Sequence, residues 1–266
     1  MIKRYIKQYS VSVVIIAICV VWTLLSWFSK APLGSSEKSI LYGAYYKPFI
    51  ACGQWWRMIT AGFLHGSVTH LLMNMFALYT LGTIMENRLG KLKFVLLLLG
   101  STIGGHVFMF IAPGNPVSVG LSGGLYGLMA SYVYIIIRVG GLNSPEIRRN
   151  IMEIIMINVF INFIPGIAYM AHIGGFITGF IMTICFDKDP MIHQFRKNTI
   201  IASICLLGVV GYLMNSRKQI PVEQAYIGTD INLVSYELQQ GHTKRALRLA
   251  KNLNDYYDLK IFDISM

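Results

Sequence analysis

The chain has 266 residues, of which 55% are apolar and only 13% charged, and its mean hydropathy is +0.55. A composition this apolar excludes an ordinary soluble domain. The net charge of +11 could suggest a nucleic-acid binder, but the basic residues follow the asymmetry of membrane topology, which rejects that class.

In chain order, uncharged apolar runs long enough to span a bilayer occupy residues 11–28, 68–85, 94–112, 121–137 and 168–186. Weaker runs at 151–164, marred by Glu153, and at 199–214 bring the expected count to seven. The first run follows Lys3, Arg4 and Lys7 as a signal peptide would. It is 18 residues long without a small-x-small cleavage site, so a retained signal anchor is expected. With the N-terminus cytoplasmic, twelve basic residues fall on the inner side, among them Arg88, Arg138, Arg148 and Lys188. Only Lys30, Lys38, Lys47 and Arg57 fall in the outer loops. Seven spans then put the C-terminal tail outside.

Residues 29–67 read as a structured outer loop lying against the bilayer, with Trp22, Trp27, Trp55 and Trp56 as interfacial aromatics. The outer turns at 113–120 and 165–168 carry Pro, Gly and Asn. From about residue 217 the chain turns polar, with Leu238, Gly241, Ala246, Leu247, Leu249, Ala250 and Leu253 at helical spacing. That tail is either a tetratricopeptide-like helical hairpin, too short to stack a core alone, or a plain amphipathic helical tail. The cysteines Cys19, Cys52, Cys185 and Cys205 have no metal-ligand spacing and three lie in spans, so neither a metal site nor a disulfide framework is expected.

Strongly polar side chains inside spans are costly and mark function. His70 and Asn74 stand four apart, hence on one helix face. Ser122 opens one span and His172 another, and the alternation of spans brings all four to one depth near the outer boundary. The run from Gly120 to Gly124 fits the G-x-S-x-G nucleophile elbow, but no strand-rich pattern surrounds it, so an α/β-hydrolase is excluded. A serine becomes nucleophilic when a base takes its proton, and histidine is the usual base near neutral pH. Gly120, Gly123, Gly124 and Gly127 facing Gly174, Gly175 and Gly179 would let two helices approach closely enough for Ser122 and His172 to meet. Tyr126, one turn after Ser122, could pack on the imidazole. His70, Asn74 and the Ser122 amide could supply three oxyanion donors.

Beside these, packing by small residues is the bland alternative for Ser122 and for the glycines of HIGGFITG. His65 lies near His70 but off its face and is not assigned to the site; its functional alternative is a surface or substrate-gate role. His106 and His193 are read as structural or solvated, and Glu86 as a cap or partner at the cytoplasmic edge.

Five motifs in this order and at these span positions resemble the rhomboid family of intramembrane serine proteases. They are Trp56-Arg57, His70-x-x-x-Asn74, Glu86-x-x-Leu89-Gly90, Gly120-x-Ser122-Gly123 and Ala171-His172-x-x-Gly175-x-x-x-Gly179. The resemblance implies an all-α polytopic membrane protein. Residues 1–190 form a six-helix core, 191–216 a linker and seventh span, and 217–266 an extramembrane helical tail. It implies Ser122 as nucleophile and His172 as base without an acidic third member, and His70, Asn74 and the Ser122 amide as oxyanion hole. Trp56 and Arg57 would fix the outer loop. No metal and no cofactor are implied. The expected partners are membrane lipid and the transmembrane helices of membrane-anchored substrates, cleaved near the outer face of a bacterial plasma membrane. The tail is a candidate for contact with a protein partner. Substrates weakened by Gly, Pro or Ser near the scissile bond should be preferred, because a helix hides its peptide bonds. The alternative from another class is a catalytically inactive rhomboid-like binding or chaperone protein, against which stands the presence of both Ser122 and His172. A transporter is disfavoured because no inverted repeat is apparent and the polar residues cluster near one face.

Overall fold

The computed structural model describes residues 10–112, 117–216 and 227–263. Lys3, Arg4 and Lys7, the turn 113–116, the connection 217–226 and the last three residues lie outside the described residues. Seven helices match the seven apolar runs: α1 (Ser10–Trp27), α5 (Val68–Leu89), α6 (Lys91–Ile111), α7 (Ser122–Arg138), α8 (Pro145–Ile161), α9 (Tyr169–Phe186) and α10 (His193–Ser216). Between α1 and α5 lie α2 (Ser35–Leu41), β1 (Tyr45–Tyr46), α3 (Lys47–Ala51) and α4 (Arg57–Thr60). Strand β2 (Val117–Ser118) precedes α7, and α11 (Ile227–Gln239) and α12 (Thr243–Tyr257) follow α10. The fold is all-α and polytopic.

Periodicity explains which faces are inward. On α1 the buried residues are Ser12, Ile15, Cys19, Thr23 and Ser26, spaced three and four apart, while Val14, Val21 and Leu25 stay more than half exposed, as lipid-facing residues do. Helix α6 lies at the centre, burying Phe94, Leu97, Leu98, Ser101, Thr102, Gly105, His106, Met109 and Phe110 against α7 and α9. Helices α8 and α10 are peripheral: α8 buries only Ile151, and α10 buries no residue.

Among the described residues four helical segments are long and apolar enough to cross a membrane on length and composition: Val68–Leu89, Lys91–Ile111, Tyr169–Phe186 and Pro190–Ser216. Helices α7 and α8 have 17 residues each, a rise of about 25 Å. The expected run 151–164 is displaced. Helix α8 starts at Pro145, because the Ser144 side chain accepts from the Ile147 amide (3.4 Å) and proline suits a first turn. The structure also contains what no strand alternation announced: β1 pairs antiparallel with β2, Tyr45 opposite Ser118 and Tyr46 opposite Val117.

Two polar fasteners hold the frame. Glu86 accepts from the amides of Val11 (3.1 Å) and Ser12 (2.8 Å) and from the Ser12 hydroxyl (2.7 Å), so a carboxylate on α5 caps the start of α1. At the same end, Arg138 of α7 pairs with Asp187 (3.2 Å) and Asp189 (2.5 Å) beyond α9. The loop 29–67, called the outer loop after its expected side, is gathered around Arg57, 2% exposed. It donates to the carbonyls of Ile40 (2.7 Å) and Ala44 (3.0 Å) and to Gln54 Oε1 (2.8 Å), with its guanidinium over the rings of Phe49 and Trp56. Trp22 and Trp27, read from the sequence as interfacial anchors, also tie α1 to this region through the carbonyls of Tyr42 and His65.

Helices α11 and α12 form a hairpin, turning at Gly241, whose apolar face packs on the outer loop. Leu233, Val234, Ala246, Leu249, Ala250 and Leu253 share one buried cluster with Ile40, Tyr46, Phe49 and Leu64. Of the residues picked from the helical pattern, Leu238 and Leu247 are instead exposed (46% and 38%), since they point away from that contact.

Candidate active site

Helix α7 begins at Ser122 because Gly120 takes a backbone conformation (φ +122°) open to glycine. A Cβ there would stand 2.6 Å from His70 Cε1, so glycine also lets the imidazole edge of His70 approach the chain just before Ser122. The Gly120 amide donates to the Ala61 carbonyl (2.9 Å), and β2 is pinned to β1, so the segment leading to Ser122 hangs on the outer loop. Gly120 therefore precedes the helix and takes no part in helix–helix packing, a correction to the glycine face read from the sequence.

Helices α7 and α9 meet backbone to backbone. A Cβ on Gly175 would meet the backbone of Gly123, and one on Gly179 that of Gly127. Gly124 and Gly174 turn instead toward α6, against Leu98 and Thr102 and against Phe108 and Gly104, because adjacent helical residues point about 100° apart. This contact brings His172 Nε2 to 2.8 Å from Ser122 Oγ. The Tyr126 ring stacks on the imidazole with centroids 4.1 Å apart and planes 9° from parallel. His172 Nδ1 meets Asn162 Oδ1 at 2.6 Å, a contact absent from the sequence reading. Its signal was present: Asn158 and Asn162 stand four apart in an apolar run, the same pattern that singled out His70 and Asn74.

Ser67 caps α5, its hydroxyl accepting from the His70 amide (3.1 Å), and so sets the first turn that carries His70. His70, Ser122 and His172 all line a cavity of about 430 Å³, walled by Ser35 and Ser39 of α2, by Val119 and by Gly166. Asn74 does not line it. It is 5% exposed, and its Nδ2 donates to the His70 carbonyl (2.9 Å), leaving one N–H of that amide for an oxyanion. The amides of Ser122 and Gly123 open the helix, where no intrahelical acceptor exists for them.

His65 is not a surface residue: it is 1% exposed, with Nδ1 3.3 Å from Thr23 Oγ1 and its ring edge-on to His70 at 5.0 Å. Burial, and secondarily the neighbouring His70, pushes His65 down to about 3, so it stays neutral at ordinary pH and backs His70 as an uncharged wall. His106 contacts the Met58 carbonyl through Nδ1 (2.7 Å) and stacks on Tyr45, tying α6 to the outer loop, while His193 is exposed. Trp56 is 48% exposed, lies under the Arg57 guanidinium, and is not among the described residues that line the cavity.

Comparison with known proteins adds a lineage to this geometry. Residues 52–188 match the family model described as the Rhomboid domain. The chain is 32% identical over 180 residues to the rhomboid protease GluP of Bacillus subtilis, covering 67% of this chain and 35% of that protein. It is 34% identical over 146 residues to the putative rhomboid protease YdcA of the same organism, covering 54% and 73%. It is 28% identical over 233 residues to the rhomboid protease AarA of Providencia stuartii, covering 76% and 82%. The aligned stretch thus spans about a third of the first of these relatives and most of the other two.

Proposed function

This chain belongs to the rhomboid family, an integral membrane protein, and from that membership we propose that it is an intramembrane serine endopeptidase that cuts the transmembrane segments of membrane-anchored proteins. The observation that carries the reading is the 2.8 Å contact between Ser122 Oγ and His172 Nε2 in the lining of a cavity. In this reading His172 takes the Ser122 proton as Oγ attacks the scissile carbonyl, and returns it to the leaving amine. Water then attacks the acyl carbon with His172 taking its proton, and the acyl–oxygen bond breaks as His172 returns that proton to Ser122 Oγ. His70 and the Ser122 amide face the charge on the tetrahedral oxygen, and Asn74, behind them, is the third candidate donor through its remaining N–H.

Depth suits the chemistry. Arg138 pairs with Asp187 and Asp189 at one edge, and α7 rises about 25 Å from there, short of a hydrocarbon core of roughly 30 Å. Ser122 then lies just inside the far boundary, where the cavity admits water. The basic residues concentrated at the Arg138 side support a cytoplasmic assignment for it, leaving Ser122 near the outer face of a plasma membrane. The α11–α12 hairpin packs on the same outer loop, which supports an outward tail and a full crossing by α10. Substrate access is lateral, past α8, whose packing is the loosest among the core helices and which faces lipid along most of its length.

The test is cleavage of a single-span substrate bearing Gly and Pro near its outer end, with enzyme and substrate in liposomes. Cleavage that vanishes in Ser122→Ala and His172→Ala, with substrate still bound, is the expected result. Labelling of Ser122 by a fluorophosphonate should vanish in His172→Ala. Undiminished cleavage by Ser122→Ala would overturn the assignment, and binding without cleavage by the unaltered chain would favour a binding or chaperone protein.

A further inference from the structure

The Nδ1 side of His172 carries a chain of hydrogen bonds whose direction is fixed by one backbone carbonyl. Asn162 Nδ2 lies 2.7 Å from the Asn158 carbonyl oxygen, which can only accept. The amine end of the Asn162 amide therefore points there. The same Nδ2 lies 3.1 Å from the Tyr126 hydroxyl, and that hydroxyl donates onward to the Asn158 carbonyl at 3.0 Å. The carbonyl end of Asn162 is thereby turned to His172 Nδ1 at 2.6 Å. A carbonyl oxygen cannot donate, so Nδ1 must carry the hydrogen. A neutral imidazole has one N–H, which leaves the Nε2 lone pair directed at Ser122 Oγ.

We propose that Asn162 is a positioning residue for the Ser122–His172 pair: it locks His172 in the tautomer with Nδ1 protonated and Nε2 free to take the serine proton. This rests on the catalytic reading above. Tyr126 has a double part, because its ring lies flat on the imidazole while its hydroxyl holds the amide of Asn162. When Nε2 receives the serine proton, the imidazolium keeps Asn162 Oδ1 as acceptor for its other N–H. The interaction strengthens as charge develops, so it favours the transition state over the ground state. The acceptor comes from the C-terminal end of α8, the loosely packed helix beside the site.

The experiment measures kcat, KM and the pH–rate profile of Asn162→Ala, Asn162→Asp and Ser122→Ala on one substrate in liposomes. Removing the acceptor is expected to lower kcat about 10- to 100-fold, within the range of general-base effects, with KM little changed. Asn162→Asp keeps an acceptor, so it is expected to recover much of the kcat lost in Asn162→Ala. It also places a negative charge on Nδ1–H, which should move the acid limb of the profile upward by about one pH unit or more. A merely structural asparagine would not give a kcat loss at unchanged KM in Asn162→Ala that the carboxylate acceptor of Asn162→Asp restores. Unchanged kcat in Asn162→Ala, or an unmoved acid limb in Asn162→Asp, overturns the proposal while Ser122→Ala remains inactive. Cleavage by Ser122→Ala would instead defeat the catalytic reading itself. Should Asn162→Ala fail to fold, the isosteric Asn162→Asp profile decides.

Discussion

The Tyr46 hydroxyl of the outer loop donates to Asp230 of the C-terminal hairpin at 2.9 Å, across 184 residues of chain. Asp230 is fully buried, and its other oxygen accepts from Tyr257 at 2.6 Å. Burial drives its carboxyl up to about 6 from an ordinary 3.8, even though the two tyrosine hydroxyls favour the ionised form. Tyr46 and Tyr257 are pushed well upward, by burial first, and Cys52 is pushed up to about 12, so these neighbours do not titrate in that window. The folded pKa is raised, so the docked hairpin holds more protons than the free one between pH 4 and 6. The stabilisation is fully present below about pH 4 and is lost as pH rises through 6, at up to about 1.4 kcal/mol per pH unit. Hydrogen exchange of α11 and α12 should therefore show tighter docking at pH 5 than at pH 8. Asp230→Asn should flatten that dependence; an unchanged slope would place its origin elsewhere.

Gly179 faces the Gly127 backbone, where a Cβ would come within 2.5 Å of the carbonyl oxygen. Backbone cannot rotate aside, so Gly179→Val must separate α7 from α9. We expect a loss of stability of at least the roughly 1–3 kcal/mol typical of overpacking, together with loss of cleavage as His172 leaves Ser122. Gly208→Ala on α10 is the control: its Cβ meets no atom of the described residues within 4 Å, and its effect should be neutral to stabilising, by up to about 1 kcal/mol from helix propensity. Thermal unfolding in detergent separates the two.

Much of this was legible in the sequence for a physical reason. A lipid solvent forces long apolar helices, and it makes each polar residue inside them conspicuous, so Ser122, His172, His70 and Asn74 could be found by spacing and depth. What spacing does not give is the direction of side chains that hang on turns. Asn162 sits at the end of α8, and only the return of the chain through Gly166 to α9 aims its amide at His172. The hairpin shows the same limit. Its pattern announced an amphipathic helical tail and left open whether it forms a hairpin, and the partner of its apolar face lies near residues 40–64, a contact so distant that no local period encodes it. The glycines were legible as a group, but Gly124 and Gly174 serve α6, because one residue of offset turns a helical position to another neighbour.

Glu86 holds three donors from the start of α1 with two oxygens. Glu86→Gln keeps one acceptor oxygen and turns an N–H₂ toward the others, so a donor faces donors in a buried place. The expected cost is about 2 kcal/mol, in the range for hydrogen bonds to charged groups. Because this junction lies at the opposite end of α5 from His70, kcat at low temperature should stay within about twofold, a change smaller than 1 kcal/mol. Thermal stability in detergent and cleavage rate at 15 °C check the two halves of the statement. A fall in kcat without a fall in stability would mean that α1 bears on the site directly.

On the proposed mechanism the oxyanion donors should be unequal. His70 lines the cavity and its ring makes no hydrogen bond among the described residues, so its donor is free for the developing charge. Asn74 is buried beneath, and its Nδ2 is already engaged by the His70 carbonyl. Removing one well-placed oxyanion donor typically costs about 10²–10³ in kcat. His70→Ala should fall in that range, and Asn74→Ala should lose less, on the order of tenfold. Part of the Asn74 loss would be indirect, since its amide also ties down the turn bearing His70. The double variant separates these contributions. If Asn74 acts through His70, removing both should cost little more than removing His70 alone; if each donates independently, the two losses should multiply. Multiplicative losses would place the second Asn74 N–H at the substrate oxygen, and sub-multiplicative losses would make Asn74 a support for His70.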